Sequence, residues 1–365
     1  MRTAALIVVG ALTATFIIPT AAHASAHAAA AGVATGIMSQ GAPVRVDGFI
    51  DSVVAPIRWN RLETSDQVFD GTDWAVMNHL IANPQVKHIR IRLYTGISAP
   101  DFVKQLGGPS MSGEGIDCSV TGGIAVLNTY DSKGGCVPYF WTDDYLHQYR
   151  QIIWEIQSRY GSKPKFAEIA DSACMTTYAE PFYRAHANAL SNARLFSAGL
   201  NFTTDSYCED QAMGIHRNLL HGQSISLAIN NWDVLQPPAT NSRNVVYDWS
   251  ATKAFADKWR KVLGGRLVLQ NNGWGETDAC LGVPVDNVYC YLKSDVRRPK
   301  GFQSETWSRL GDSGTTSLQG WYNILENAIK TGACFVESSD NQYKQADPSV
   351  LASFNQRLKA NCPNT

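Results

Sequence analysis

Two glutamates stand where carboxylates could do paired work. Glu180 lies in Tyr178-Ala179-Glu180-Pro181, after a short apolar run at residues 166–170 and a loop of small and polar residues at 171–179. Glu305 falls within the run at 301–307, Gly-Phe-Gln-Ser-Glu-Thr-Trp. A carboxyl kept protonated can give its proton to a departing oxygen, while an ionised partner attacks carbon or activates water. Glu180 admits a plainer reading as a helix-start acid favoured by the dipole, because Pro181 suits a first helical turn. Glu276, in Gly273-Trp274-Gly275-Glu276, rivals Glu305, since glycines allow close backbone approach. Glu305 is preferred because it stands at a rigid strand end. Glu337 is a third candidate, as a substrate contact or an ion-pair partner.

Such groups must be carried by regular elements. Residues 87–93, Lys-His-Ile-Arg-Ile-Arg-Leu, alternate and predict a strand. Further strands are expected at 166–170, 224–229, 266–270, 301–307 and 333–337, one or two across 44–59, and a weaker one at 197–201. Helical spacing covers 74–81, 143–159, 181–195, 252–262, 318–330 and 348–358. This alternation predicts parallel strands with helical crossovers, an α/β fold of (β/α)8 TIM-barrel type in a single domain. Two long excursions, 107–141 and 277–300, each hold two cysteines and read as disulfide-stapled loops.

In a (β/α)8 barrel the C-terminal strand ends converge on one face. Here those ends carry Arg58, Trp59, Arg92, Tyr178, Asn231, Trp232, Trp274, Glu276, Trp307 and Glu337 beside Glu180 and Glu305. This set is expected to bind substrate. Trp59, Trp232, Trp274 and Trp307 would stack on apolar faces of a sugar, although a large core also needs rings. Arg58 and Arg92 either hold the nucleophile's pKa low or serve the strand ends structurally.

Bulk properties bound the remainder. Arg2, an apolar run at 4–18 and Ala22-His23-Ala24 read as a secretory signal peptide over residues 1–24, with a retained anchor as the lesser alternative. Residues 25–43 are expected to be a flexible segment, and 44–362 the barrel domain. The formal net charge of −1 gives no electrostatic case for nucleic acid or an anionic membrane. The eight cysteines of an exported chain read as disulfides, and loop economy favours pairing sequence neighbours, 118–136, 174–208, 280–290 and 334–362. No C-x-x-C or Cys/His cluster suggests zinc, and neither a G-x-S-x-G elbow nor a phosphate loop is present, so no metal or cofactor is expected. A secreted monomer is expected.

Tyr178-Ala179-Glu180-Pro181 is similar to the Asn-Glu-Pro signature of family 5 cellulases and mannanases. Trp59-Asn60-Arg61-Leu62-Glu63, Asp73-Trp74 and residues 96–100 resemble the opening of family 42 β-galactosidases. The resemblance, to the large clan of retaining (β/α)8 glycoside hydrolases, covers most of residues 45–340 through short motifs. It implies an acid/base Glu180 after strand 4, a nucleophile Glu305 at the end of strand 7, and cleavage of O-glycosidic bonds in an oligo- or polysaccharide. One departure is Ala179, where the clan has an Asn that binds the substrate 2-hydroxyl; Asn231 or Tyr178 could substitute. That departure keeps open a barrel that binds carbohydrate without cleaving it, and a protein-binding module is a further alternative.

Overall fold

The computed structural model describes residues 32–40, 50, 52–129, 131–184, 188–238, 243–275, 280, 287–296, 299–310 and 316–362. The expected leader and Glu276 lie outside them. Eight parallel strands close into a barrel: β1 Gly36–Gln40, β2 Ser52–Arg58, β3 His88–Tyr94, β4 Phe166–Ala170, β5 Ser224–Ala228, β6 Leu267–Trp274, β7 Lys300–Ser304 and β8 Phe335–Ser338. Each pairs with its sequence neighbours, and β1 closes the ring against β8. Helices between the strands cover the outside, which is the (β/α)8 arrangement.

Three expectations are corrected. The barrel opens at Gly36, inside the segment expected to be flexible. That strand is too short for its alternation to stand out, and its pairing with β8 is entirely non-local. The helix expected from Pro181 is instead Ala189–Ser197, started by Asn188, whose side chain accepts from the Ser191 N–H. The weak strand at 197–201 is a helix end and a new start. Asn201 forms a capping box with Thr204 and opens the helix Phe202–Leu219.

The cysteines pair 118–136, 174–208, 280–290 and 334–362. The first fastens an antiparallel ribbon, Ile124–Leu127 with Gly134–Val137, inside the first long excursion. A second ribbon, Trp232–Leu235 with Val245–Asp248, follows β5. Among the described residues no helix is long and apolar enough to cross a membrane.

Register fixes which side chains enter the barrel. Residues aligned across neighbouring strands share a face, so Val54, Arg90, Glu168, Gln270, Gly301, Phe335 and Glu337 all point inward. Gly301 is needed there, because a Cβ would come within 2.0 Å of the Phe335 ring. Above an apolar floor that includes Met38, Val54, Val268 and Phe335 lies a charged layer. Arg90 reaches Glu168 at 2.6 Å, Gln270 at 2.7 Å and also Glu337. Arg92 donates to both oxygens of Glu337, at 2.9 and 2.6 Å.

Removing one partner of a buried ion pair leaves uncompensated charge and costs about 3–5 kcal/mol. Arg90→Met is therefore expected to lower Tm by on the order of 10 °C in calorimetry. A shift of only about one degree would show that Glu168 and Glu337 do not depend on this guanidinium.

Candidate active site

Glu180 reaches the barrel mouth at the end of a buried loop that β4 feeds. The Thr95 hydroxyl donates to the Ser172 carbonyl at 2.5 Å, and Ser172 donates to the Leu93 carbonyl. The Ile97 N–H bonds the Thr176 carbonyl at 3.1 Å. Gly96 permits that approach, because a Cβ there would lie 1.8 Å from the Thr176 oxygen. Cys174 is tied to Cys208, and Arg184 both donates to the Cys174 carbonyl at 2.5 Å and pairs with Asp205 at 3.0 Å. Phe182 sits at a φ of 69° just beyond Glu180, and its carbonyl accepts from the Asp233 N–H. The loop is thus held at both ends before any substrate arrives.

Glu305 directly follows β7. It stands two residues beyond inward-facing Gln303, so the strand period aims it over the same opening. Its backbone N–H bonds the Trp274 carbonyl at 3.2 Å, and its carbonyl accepts from Gln342 Nε2 at 2.8 Å. Gln342 also accepts from the Ser304 hydroxyl at 2.8 Å. Gly275 lies against the carboxyl, with a Cβ position 3.7 Å from Glu305 Cδ.

The two carboxyls line one cleft of about 340 Å³, with Tyr178, Tyr183, Asn230, Asn272 and Tyr289 among its walls. Burial raises the Glu180 carboxyl above the ordinary carboxylate range. That effect outweighs the opposing hydrogen bonds of Asn272 and Asn230 and the charge of Arg92. Asn230 Nδ2 donates to Glu180 Oε2 at 2.8 Å, while Asn271 Nδ2 orients Asn230 by donating to its Oδ1 at 3.0 Å. The Tyr289 phenol is pushed up by burial and by the charges of Glu305 and Glu180 together. A raised carboxyl at neutral pH is suited to donate a proton.

Other expected site residues divide sharply. Tyr178 lines the cleft. Asn231 is exposed outside it, and Asn230 takes the inward position. Trp59 is fully buried, donates to Glu63 Oε2 at 2.7 Å and packs on Tyr145 and Tyr149. Trp232 is buried against Phe182 and Phe255 and donates to Asp205. Trp274 is stacked on Phe302 at 3.9 Å, because a register shift between Asn271 and Trp274 turns it into the core. These three rings have no open face for a sugar. Trp307 alone of the four borders open space, in a neighbouring cleft.

Glu337 is an ion-pair partner with no exposure. Burial by itself would raise its carboxyl, but Arg92 and Arg90 hold it below the ordinary range. Arg92 therefore serves Glu337, and Arg58 projects exposed from the end of β2. Among the described residues no group of three or more His, Cys, Asp and Glu is placed to hold a metal ion.

A second polar cluster lies behind β4. Asp171, Glu209, His216 and Tyr149 are buried between the barrel and the helices Asp143–Tyr160 and Phe202–Leu219. His216 Nε2 is 2.8 Å from the Tyr149 hydroxyl, and Nδ1 is 3.9 Å from Asp171 Oδ1. Burial pushes Asp171 up to about 7, against the backbone N–H groups of Ala173 and Ser172. Burial pushes His216 down to about 3. An acid whose folded pKa exceeds its unfolded value contributes stability in full below the unfolded pKa, about 3.9, and loses it as pH rises through the folded one. His216, depressed by burial, gains stability with rising pH up to its unfolded value of about 6.5 and offsets that loss there, so Tm is expected to decline between about pH 6.5 and pH 8, and Asp171→Asn to flatten the decline. A wild-type Tm that stays level across this window would contradict the assignment.

No known family pattern matches the chain, and no curated protein matches it in sequence. Among solved structures it is similar to the catalytic domain of β-amylase from Paenibacillus polymyxa, at 12% identity over 90% of this chain and 99% of that one, with a TM-score of 0.46. It is also similar to endoglucanase Cel5A of Pseudomonas stutzeri, at 10% identity over 87% and 84%, TM-score 0.42. Old Yellow Enzyme from a Pichia species matches at 12% identity over 91% and 81%, TM-score 0.46. The barrel itself is established by the pairing of its own eight strands.

Proposed function

We propose that the chain is an exported, retaining β-glycoside hydrolase with Glu180 as acid/base and Glu305 as nucleophile. The observation that carries this reading is the shared cleft, lined both by a carboxyl raised by burial and by a second carboxyl just past a strand end. In the first step a Glu305 oxygen bonds the anomeric carbon, the glycosidic C–O bond breaks, and the Glu180 proton goes to the departing oxygen. In the second step Glu180 takes a proton from water, the water oxygen bonds the anomeric carbon, and Glu305 leaves as a carboxylate. Asn230 bonds the charged form of Glu180 that each cycle produces. The four disulfides and the apolar leader support export to an oxidising compartment.

Turnover of a panel of aryl β-glycosides by the purified protein tests this reading. Release of the phenol from one sugar series is expected. No release from any member, with sugar binding retained, would favour the non-catalytic barrel that Ala179 suggests. Ala179 itself is buried at 6% exposure and carries no polar group for a 2-hydroxyl.

Gln342 accepts from the Ser304 hydroxyl and donates to the Glu305 carbonyl, and so acts as a positioning residue. Gln342→Ala is expected to lower kcat about tenfold with a smaller change in KM, because a displaced nucleophile loses near-attack geometry. A rise in KM alone would assign Gln342 to substrate binding.

A further inference from the structure

Glu180 is met by amides whose orientation is decided elsewhere in the barrel. Three consecutive residues of β6, Gln270, Asn271 and Asn272, belong to two hydrogen-bonded chains that both finish at its carboxyl. An amide offers an acceptor at one end and donors at the other, so fixing one end fixes the other.

The longer chain starts in the charged layer. Arg90 can only donate, and its Nη1 donates to Gln270 Oε1 at 2.7 Å. That leaves Gln270 Nε2 to donate, which it does to Asn272 Oδ1 and, at 3.3 Å, to Glu337 Oε1. With its oxygen occupied, Asn272 bonds Glu180 through Nδ2. The shorter chain starts at the backbone. Asn271 Oδ1 accepts from the Gly273 N–H at 3.1 Å. Asn271 Nδ2 donates at 3.0 Å to the Ile229 carbonyl and at 3.0 Å to Asn230 Oδ1. Asn230 is thereby left to donate, and its Nδ2 lies 2.8 Å from Glu180 Oε2. The carboxyl thus faces two amide donors, neither of which can accept its proton. Such donors favour the ionised carboxyl that each cycle produces, against the burial that favours the acid. Gln270 is only 2% exposed and reaches Glu180 through Asn272.

We infer that Arg90 and Gln270 are positioning residues for the acid/base, holding Asn272 as a donor to Glu180 from inside the barrel. This rests on the hydrolase reading for the role of Glu180. It goes beyond that reading by tracing control of the carboxyl to the charged layer beneath it. The charged groups about Glu180 are Arg92 from β3, Glu337 from β8, Glu305 after β7 and Arg309. The phenols of Tyr178, Tyr183 and Tyr289 line the same cleft. All of these are kept in the variants that test the inference.

The titration of Glu180 would be followed by carbon-13 NMR on protein labelled at glutamate Cδ, its resonance being the one lost in Glu180→Gln. Gln270→Met removes donor and acceptor and leaves Arg90 paired with Glu168 and Glu337. It is expected to raise the Glu180 midpoint by about one pH unit, and Asn272→Ala to raise it by about the same. The double variant is expected to titrate like Asn272→Ala alone, because Gln270 works through Asn272. The basic limb of kcat/KM is expected to move with the midpoint. If Gln270→Met does not fold, Gln270→Glu keeps the Arg90 bond but cannot donate to Asn272. Its upward shift is expected to shrink in the Asn272→Ala background; an equal shift in both backgrounds would be the added charge alone and would overturn the inference. A midpoint unmoved by Gln270→Met, or shifts that simply add in the double variant, would also overturn it and leave the hydrolase reading standing. The expected shifts in a protein that cleaves no glycoside would keep the inference about Asn272 and overturn the hydrolase reading.

Discussion

Glu305→Ala is expected to lower kcat by about 10⁴-fold or more, equivalent to ~5.5 kcal/mol of transition-state stabilisation. Without that carboxylate nothing on the far face of the sugar can bond the anomeric carbon. The side chain is partly buried beside Gly275, so truncation leaves a small space there. Azide can enter that space. It would attack opposite the leaving group and return turnover of an activated aryl β-glycoside, giving an α-glycosyl azide. Activity within about tenfold of wild type would remove Glu305 from the role and pass it to Glu276.

Glu180→Gln is expected to act differently on different leaving groups. The amide keeps the shape and the Asn230 neighbour but has no proton to give. Glycosides of poorly acidic phenols should lose about 10³-fold in kcat/KM, whereas those of strongly acidic phenols should lose far less. The second step then lacks its base, so the glycosyl-enzyme accumulates and a burst of phenol appears. The pH profile gives an independent readout. Glu180 must carry a proton in the first step, so wild-type activity falls as pH rises through its raised pKa. That basic limb is expected to vanish in Glu180→Gln. A uniform loss across leaving groups, with the limb intact, would assign the acid to another group.

The strand–helix alternation from β2 onward was legible in the sequence because most of these strands are short apolar or alternating runs followed by polar residues, whereas β1 was not. The disulfide pairing was legible as well, since all four bridges join sequence neighbours. What could not be read was which member of a pair faces inward. Asn231 was favoured at the end of β5, yet the strand period through Ser226 and Ala228 points Asn230 into the mouth, and a one-residue slip reverses every assignment. Trp59 follows inward-facing Arg58 and is turned out into the helix layer for the same reason. At Trp274 the cause is a bulge that no periodicity announces. The charged layer of Arg90, Glu168 and Glu337 shows a further limit. Its members lie on strands far apart in sequence, and only closure of the barrel brings them together.

The central claim is a double displacement across Glu180 and Glu305, and stereochemistry tests it most directly. The wild-type protein would be mixed with a rapidly cleaved aryl β-glycoside, and the first-formed free sugar followed by proton NMR before mutarotation. Two successive inversions at the anomeric carbon predict that the β-anomer appears first and the α-anomer grows in later. The α-anomer appearing first would mean that water attacks directly in one step, and Glu305 would then be a base rather than a nucleophile.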